Sequence, residues 1–233
     1  MVGVLAPRAK IHSSVGGFHR RSFKSSFQLD NADICDFICC SASGSLCLLS
    51  FESSNMLVNC TNWTVHKVKL ETTLKICAAS FRHDEKLLAV TCLDNIIRII
   101  DTNSKRVLSS FAVEGHILSL KFLNDSSDII IVCKDSVKIV DTMGSVKISC
   151  ILQDQIEGAL IMEMELYTWT KSGVFFADVA SLHFTKLVEA QRVRKLSASH
   201  NGLIAIASED VIEIYSRPGN CVIKRLRPHL KSL

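Results

Sequence analysis

One stretch of this chain is written twice in succession, first over residues 76–111 and again over residues 117–150. Each copy begins with a short apolar segment that ends in Phe (Phe81, Phe122), continues through a polar turn, and enters a second apolar segment that ends in Cys. An acidic turn, a third apolar segment that ends in Asp, and a fourth segment complete the copy. A repeat of this kind restricts the chain to architectures that assemble similar units.

Four short strands in a period of about 40 residues are typical of a β-propeller blade. The apolar segments are short and rich in Ile, Val and Leu, which indicates strands that are buried on both faces. No convincing helical stripe of apolar residues occurs, so the sequence predicts an all-β fold. Because propellers usually build binding surfaces, the repeat favours a scaffold over an enzyme.

Aligning the copies marks five periods, the middle two strong and the outer ones degenerate. The residues that end their first strands (Phe51, Phe81, Phe122, Met164, Ala198) are 30, 41, 42 and 34 residues apart. The predicted first strands are 46–51, 76–81, 117–122, 159–164 and 193–198. The predicted fourth strands are 106–111, 146–151, 181–186 and 221–226. Residues 1–45 leave room for a sixth blade.

The sequence predicts three regions: a basic N-terminal tail over residues 1–30, a propeller over 31–226, and a basic C-terminal tail over 227–233. The N-terminal region fits a disordered tail, a mitochondrial transit peptide or a first blade that has lost its pattern. Seven blades would need roughly 280 residues. The 233-residue chain is therefore a small or divergent propeller, an open one completed by a partner, or a truncated product. Since an open end exposes strand edges, we expect self-association or a need for a partner.

The net charge of +4 hides an asymmetry along the chain. Residues 1–28 and residues 217–233 each carry five basic residues and no acidic one, so the middle carries −6. Basic ends are compatible with an anionic partner such as RNA, or they are simply solvated. The candidate RNA or anion contacts are Arg192, Arg194, Lys195, Lys224, Arg225 and Arg227.

The ten cysteines do not indicate a disulfide framework. Five of them lie in apolar strand patterns, where a thiol behaves as a small hydrophobic group: Cys47, Cys77, Cys92, Cys133 and Cys150. The chain has no secretory apolar region and no apolar run long enough for a transmembrane helix. A reducing compartment is the better interpretation.

No motif predicts catalysis, a metal or a cofactor. The eight histidines form neither HxH nor HExxH, no CxxC occurs, and no glycine-rich phosphate loop is present. Cys92 and Cys133 lie in buried strands, whereas a reactive thiol needs an exposed electropositive setting. We therefore expect no enzyme activity, no catalytic residues, no cofactor and no small-molecule substrate.

Three third strands carry one charged residue at the same position. These residues are Arg98, Lys138 and Glu213. The shared position suggests a common outward-facing site, and a solvated face is the favoured interpretation.

The pattern resembles the WD40 repeat. Glu114-Gly115-His116 stands where that family has its Gly-His pair, just before a first strand. Asp101, Asp141 and Asp178 each follow an apolar residue, where the family has Trp-Asp. Asp94 and Asp135 match the acidic turn between the second and third strands. The resemblance implies a hydrogen-bonded network of His and Asp within each blade, here formed by His116, Asp135, Asp94, Asp101 and Asp141.

The chain departs from the WD40 pattern in every period. None has the Trp, a single one has Gly-His, and the last has Tyr215-Ser216. The network is therefore expected to be absent from most blades, so that apolar packing must hold them together.

Residues 79–111 are also similar to a blade of U3 small nucleolar RNA-associated propellers. That resemblance implies a scaffold role in nucleolar pre-ribosomal RNA processing and small-subunit ribosome biogenesis, among other proteins of a multi-subunit assembly. The basic ends suit contact with RNA, and the expected location is the nucleolus. The alternative is a cytosolic protein-interaction adaptor without a link to RNA. Neither interpretation involves a membrane partner. An enzyme built on a propeller is a third class, without support from any motif.

Overall fold

A computed structural model describes residues 35–124, 126–190, 192–199 and 201–227. These ranges contain twenty β-strands and no helix, hence none long and apolar enough to cross a membrane. The strands form five antiparallel sheets, each made of four consecutive strands. The predicted all-β propeller with five recognisable blades is confirmed. The predicted tail over residues 1–30, and residues 228–233 of the C-terminal tail, lie outside the described residues.

The blades are numbered in chain order. Blade 1 consists of β1 Cys35–Cys40, β2 Leu46–Phe51, β3 Asn55–Asn59 and β4 Thr64–Val68. Blade 2 consists of β5 Ile76–Phe81, β6 Leu87–Cys92, β7 Ile96–Asp101 and β8 Val107–Ala112. Blade 3 consists of β9 Ile117–Phe122, β10 Ile129–Cys133, β11 Ser136–Val140 and β12 Val146–Ile151. Blade 4 consists of β13 Ile156–Met162, β14 Glu165–Thr170, β15 Gly173–Asp178 and β16 Phe184–Val188. Blade 5 consists of β17 Lys195–Ala198, β18 Leu203–Ala207, β19 Ile212–Ser216 and β20 Cys221–Leu226.

The structure corrects the predicted start of blade 1. Residues 46–51 form its second strand, and its first strand is β1, which the sequence analysis left among residues 1–45. Residues of β1 alternate between half-buried and exposed, so β1 lacks the continuous buried run that marks second strands such as β6 and β10. The fourth strand of blade 4 also begins later than predicted, because a turn after Asp178 occupies residues 179–183.

The second strand of each blade carries most of the core. All five residues of β10 and five of the six in β6 are buried, because neighbouring blades cover both faces of the sheet. Rim strands are far more exposed, and five of the six residues of β12 are exposed. Four apolar layers, one between each pair of consecutive blades, hold the propeller together.

The first strands surround the propeller axis. β1 packs on β5, β5 on β9, β9 on β13, and β13 on β17, whereas the described blades do not close into a ring. Turns that follow first and third strands lie at one end of the axis, which we call the Asp101 face. Turns that follow second strands, and the links between blades, lie at the other end, the Asp94 face.

Polar side chains tie each blade to the next on the Asp101 face. The Ser43 and Ser45 hydroxyls of blade 1 donate to the Glu85 carboxylate of blade 2. These cross-blade bonds fix neighbouring turns, so the face is an ordered surface. The remaining three pairs of blades are joined by Arg82 Nη1 to Ser127 Oγ at 2.9 Å, Lys121 Nζ to Ile161 O at 3.2 Å, and Arg217 Nη2 to Glu165 Oε1 at 2.5 Å.

Candidate protein-interaction surface

The acidic turn of blade 2 holds an ion pair rather than a His–Asp pair. Asp94 caps the turn, because its Oδ1 accepts from the Ile96 backbone N–H at 3.1 Å. Its carboxylate also accepts two bonds from Arg98, the shorter at 2.7 Å. The Arg98 guanidinium holds the pKa of Asp94 below its usual value. Arg98 is 6% exposed, so the expectation that its position marks a solvated face is wrong for blade 2.

His116 and Asp135 lie near each other in blade 3, but no hydrogen bond between them is found in the described part of the chain. His116 is exposed, and its backbone oxygen accepts from Lys134 N at 3.0 Å. The Asp135 carboxylate accepts from Ser136 Oγ at 3.1 Å and lies beside Gly115, where an added Cβ would approach Oδ1 to 3.1 Å. The glycine therefore leaves room for the carboxylate.

Asp101 and Asp141 close the turns that follow the third strands of blades 2 and 3. Asp101 Oδ1 accepts from the Ser104 and Asn103 backbone N–H groups at 2.8 and 2.7 Å, which lowers its pKa. The side chain that follows or ends the third strand accepts a backbone N–H in each of the five blades, so this local role persists without the Trp of the WD40 pattern. The five capping residues are Asn59, Asp101, Asp141, Asp178 and Ser216.

Three of the six predicted basic contacts are paired with acids. Arg192 and Arg194 both bind Glu209, at 2.9 and 2.7 Å, on the Asp94 face. Arg225 Nε lies 2.7 Å from Glu213 Oε1. The acids neutralise much of the charge that the sequence assigned to an anion site.

Lys195 and Lys224 form no ion pair with any described residue, and both are exposed. Strand register places them on the side of blade 5 that faces away from blade 4. Lys195 pairs with Ala207, and Lys224 pairs with Ile214. Arg227 is also exposed, just after β20.

The residues between the two lysines on this side are apolar and half-buried. The side is defined here as the blade 5 flank, and none of the described strands packs on it. Its apolar row lies at the centre of the sheet, between lysines on the first and fourth strands. The flank consists of Lys195, Ala205, Ala207, Ile212, Ile214 and Lys224.

Sequence reasoning did not identify this flank, although a signal was present. The residues of β18 that point to one face of the sheet and those that point to the other are all apolar, which indicates that both faces of this strand are packed against other residues. Ile204 and Ile206 point into the layer shared with blade 4, whereas Ala205 and Ala207 point away from it.

A shallow polar cleft of about 370 Å³ lies between blades 1 and 2 on the Asp101 face. Arg82 holds the pKa of Asp84, a lining residue, at about 2. Burial acts to raise the pKa of Glu85, but hydroxyl donors, Ser43 first among them, lower it overall. Both carboxylates are thus committed to structural contacts. No group of three or more His, Cys, Asp or Glu residues within the described ranges is placed to hold a metal ion.

A family model described as the anaphase-promoting complex subunit 4 WD40 domain matches residues 38–151. The match spans blades 1–3 and slightly less than half of the 233 residues. No curated protein sequence matches the chain.

Several solved structures share the fold. Kuenenia stuttgartiensis hydrazine synthase has a TM-score of 0.66 and 17% identity, over 82% of this chain and 65% of that one. The β-propeller domain of Myceliophteria thermophila Cps50 (Swd1) has a TM-score of 0.64 and 10% identity, over 80% and 66%. The C-terminal WD40 domain of Sif2 has a TM-score of 0.67 and 11% identity, over 82% and 57%. At these identities the likeness concerns the fold alone.

The chain thus spans about two thirds or less of the solved chains that it matches. Propellers of this type generally bind other proteins and are generally not enzymes, although one of the similar structures is a hydrazine synthase. Blade count, strand order, the family match and the structural neighbours agree. The described residues thus fold as five blades of a β-propeller that do not close into a ring, and the chain resembles a WD40 domain over residues 38–151.

Proposed function

We propose that this protein is a non-enzymatic scaffold subunit of a multi-protein assembly and that it binds its partner through the blade 5 flank. One observation carries the proposal: an apolar sheet face that no described strand covers carries two lysines that form no ion pair with any described residue. In contrast, the opposite side of the same blade is packed against blade 4, with Ile204 and Tyr215 nearly inaccessible.

The flank suits a β-sheet of a partner protein with acidic side chains on its edge strands. Each layer inside this propeller is a sheet packed on a sheet through apolar side chains. Charged pairs also cross these layers, as between Lys75 and Asp36 at 2.9 Å. A partner sheet would therefore cover the apolar row, and its acids would neutralise Lys195 and Lys224.

The family match suggests the kind of assembly. The matched domain belongs to a subunit of the anaphase-promoting complex, and we propose by analogy that this protein is likewise one subunit of a large protein complex. Supporting this, the match includes blade 3, whose rim strand exposes Val146 and Ile151 and could serve further contacts.

A second candidate is a scaffold role in nucleolar pre-ribosomal RNA processing. Its support is charge: Lys195, Lys224 and Arg227 are exposed without an acidic partner in the described part of the chain, and both ends of the sequence are basic. Phosphate contacts by Lys and Arg give binding that weakens steeply with salt. A cytosolic adaptor role without RNA is the alternative.

The experiment that tests the flank is a comparison of tagged variants of the full chain. We expect a stoichiometric complex with the wild type, cross-links from its partner to Lys195 or Lys224, and loss of the complex in K195E/K224E. The matched control, R192E/R194E, reverses two charges on the Asp94 face and should leave the complex intact. An intact complex in K195E/K224E, or cross-links confined to the rim of another blade, would contradict the proposed mode of binding.

Localisation and RNA cross-linking separate the two candidate functions. A nucleolar signal together with salt-sensitive RNA cross-links would support the processing role. A diffuse cytoplasmic signal without RNA cross-links would exclude that role and leave the protein-binding scaffold in place.

A further inference from the structure

Two thiols face each other across the first hairpin of blade 1. Cys40 ends β1, and Cys47 lies opposite on β2. Their sulphur atoms are 3.3 Å apart, with the Cys47 residue 6% exposed and Cys40 exposed.

The hairpin brings the two backbones close together at this pair. Ser41 N donates to Leu46 O at 2.9 Å, which makes Ser41 and Leu46 a hydrogen-bonded pair. The next pair along the ladder, Cys40 and Cys47, is therefore a non-hydrogen-bonded pair, in which opposite Cα atoms are about 4.5 Å apart. Disulfides span Cα separations of about 4.4–6.8 Å, so closing the bond needs only side-chain rotation.

The surroundings give the two thiols different roles. The hydrogen bond between the sulphurs lowers the pKa of Cys40 to about 7. The same bond, together with burial, raises the pKa of Cys47. Cys40 is the more exposed and the more acidic of the two thiols, which suits it as the nucleophile, and Cys47 lies within reach of its sulphur.

Neighbouring cysteines are engaged elsewhere. Cys39 donates to Ala79 O and Cys35 to Phe37 O, both at 3.4 Å, while Cys60 lies 4.0 Å from Val58 O. Burial raises the pKa of Cys39 to about 11. Within the described ranges, the sulphur-to-sulphur contact of Cys40 and Cys47 has no second example.

We propose that Cys40 and Cys47 are a reversible, peroxide-sensitive redox pair. The Cys40 thiolate attacks hydrogen peroxide, so that an S–O bond forms and the O–O bond breaks. Hydroxide is the leaving group, and Cys40 becomes a sulfenic acid. The Cys47 thiol then attacks the Cys40 sulphur, an S–S bond forms, and the sulfenic oxygen leaves as water with the thiol proton. A dithiol reductant restores both thiols by exchange.

The disulfide would join β1 to β2 on the side of blade 1 that faces away from blade 2. Cys47 belongs there to an apolar cluster with Leu49 and Val58. β1 lies next to the axis at the open end of the propeller, so the bond would tether the strand that has a neighbouring blade on one side only among the described elements. Oxidation would thus stiffen one end of the scaffold.

The test is oxidation of the full chain with limiting hydrogen peroxide, followed by unreduced peptide mapping. We expect loss of two of the ten thiols, a peptide that joins Cys40 to Cys47, recovery with dithiothreitol, and slower hydrogen exchange in β1. Cys40→Ser should abolish the thiol loss, and Cys39→Ser should leave the disulfide unchanged. Cys221→Ser is the control for an exposed cysteine.

Three results would overturn the proposal. One is a disulfide from Cys40 to Cys39 or Cys60. Another is alkylation of Cys221 in the wild type as fast as that of Cys40. The third is unchanged thiol content after peroxide treatment of a protein whose circular dichroism shows it folded.

Discussion

Arg98 Nη2 lies 2.7 Å from Asp94 Oδ2, and the two side chains are only 8% and 16% exposed. Arg98 Nη1 also donates to the Ile96 carbonyl at 3.2 Å. The pair joins the strand β7 to the turn that precedes it. In blade 5, the residue at the equivalent position, Glu213, binds the rim residue Arg225, which is 69% exposed. The same position of the third strand thus takes part in a buried ion pair in blade 2 and in a solvent-exposed one in blade 5.

Replacing Arg98 with Ala should destabilise the protein markedly. The change leaves Asp94 half-enclosed without its counterion, which for a buried pair costs about 3 kcal/mol in free energy of unfolding. Arg225→Ala is the matched control, and the loss of that exposed pair should cost under about 1 kcal/mol. Urea denaturation of both variants measures the difference. Equal losses of unfolding free energy in the two variants would show that burial is not the reason why the Arg98–Asp94 pair stabilises the protein.

The same ion pair predicts a dependence of stability on pH. The pKa of Asp94 is lower in the folded protein than in the unfolded chain, whose Asp pKa is about 3.9. The contribution of Asp94 is therefore complete above that unfolded value and is lost as pH falls through the folded one. The stability difference between wild type and Asp94→Asn should be largest at neutral pH and shrink toward pH 3. A difference that grows in acid would refute this assignment.

Asp101 should matter through its hydrogen bonds to the turn more than through its charge. Asp101→Ala removes the acceptor of two backbone N–H groups, and we expect a loss of about 1 kcal/mol in free energy of unfolding. Asp101→Asn keeps a side-chain oxygen and should retain most of the stability. Thermal melts of the two variants separate the effect of the hydrogen-bond acceptor from that of the charge. An equal loss of stability in both variants would mean that the charge dominates.

Thr168 offers an opportunity to stabilise the protein. Its residue is fully buried in β14, and its Oγ1 has no hydrogen-bond partner among the described residues. Thr168→Val removes the desolvated hydroxyl with little change in shape, so we expect a gain of about 1 kcal/mol. Thr170→Val is the control, because that hydroxyl contacts Ser172 Oγ at 3.0 Å and its removal should destabilise. A loss of stability in Thr168→Val would mean that the hydroxyl has a bonding partner.

The open end of the propeller should make the isolated protein associate with itself. The apolar residues of the blade 5 flank are half-buried and no described strand covers them, and uncovered sheets promote association. Size-exclusion chromatography should show concentration-dependent oligomers, and Ile214→Lys should shift them toward monomer. A well-behaved wild-type monomer that melts cooperatively would contradict this prediction.

Much of the architecture could be predicted from the sequence because blade packing restricts the residue types that each strand and turn can contain. Buried second strands such as β10 must be apolar at every position, and turns between strands need Asp, Asn or Ser. The copies at 76–111 and 117–150 keep both signals, so they located the weaker periods. β1 was misplaced because its alternating half-exposed residues lack that signal.

The candidate site was predicted less well, since its residues meet through pairing register. Lys195 and Lys224 were identified as basic residues, but their position on one flank follows from strand pairs that connect distant parts of the chain. His116 and Asp135 stand at the family positions, yet the described fold leaves the histidine exposed.

The sequence by itself determined the all-β repeat, the number of recognisable blades and the Asp at the third-strand turns of blades 2, 3 and 4, because these depend on contacts within a few residues. Tertiary structure alone decided which charges are paired, which blade side no described strand covers, and that Cys40 meets Cys47. Those relationships depend on how strands and blades pack against each other, and short-range spacing does not encode that packing.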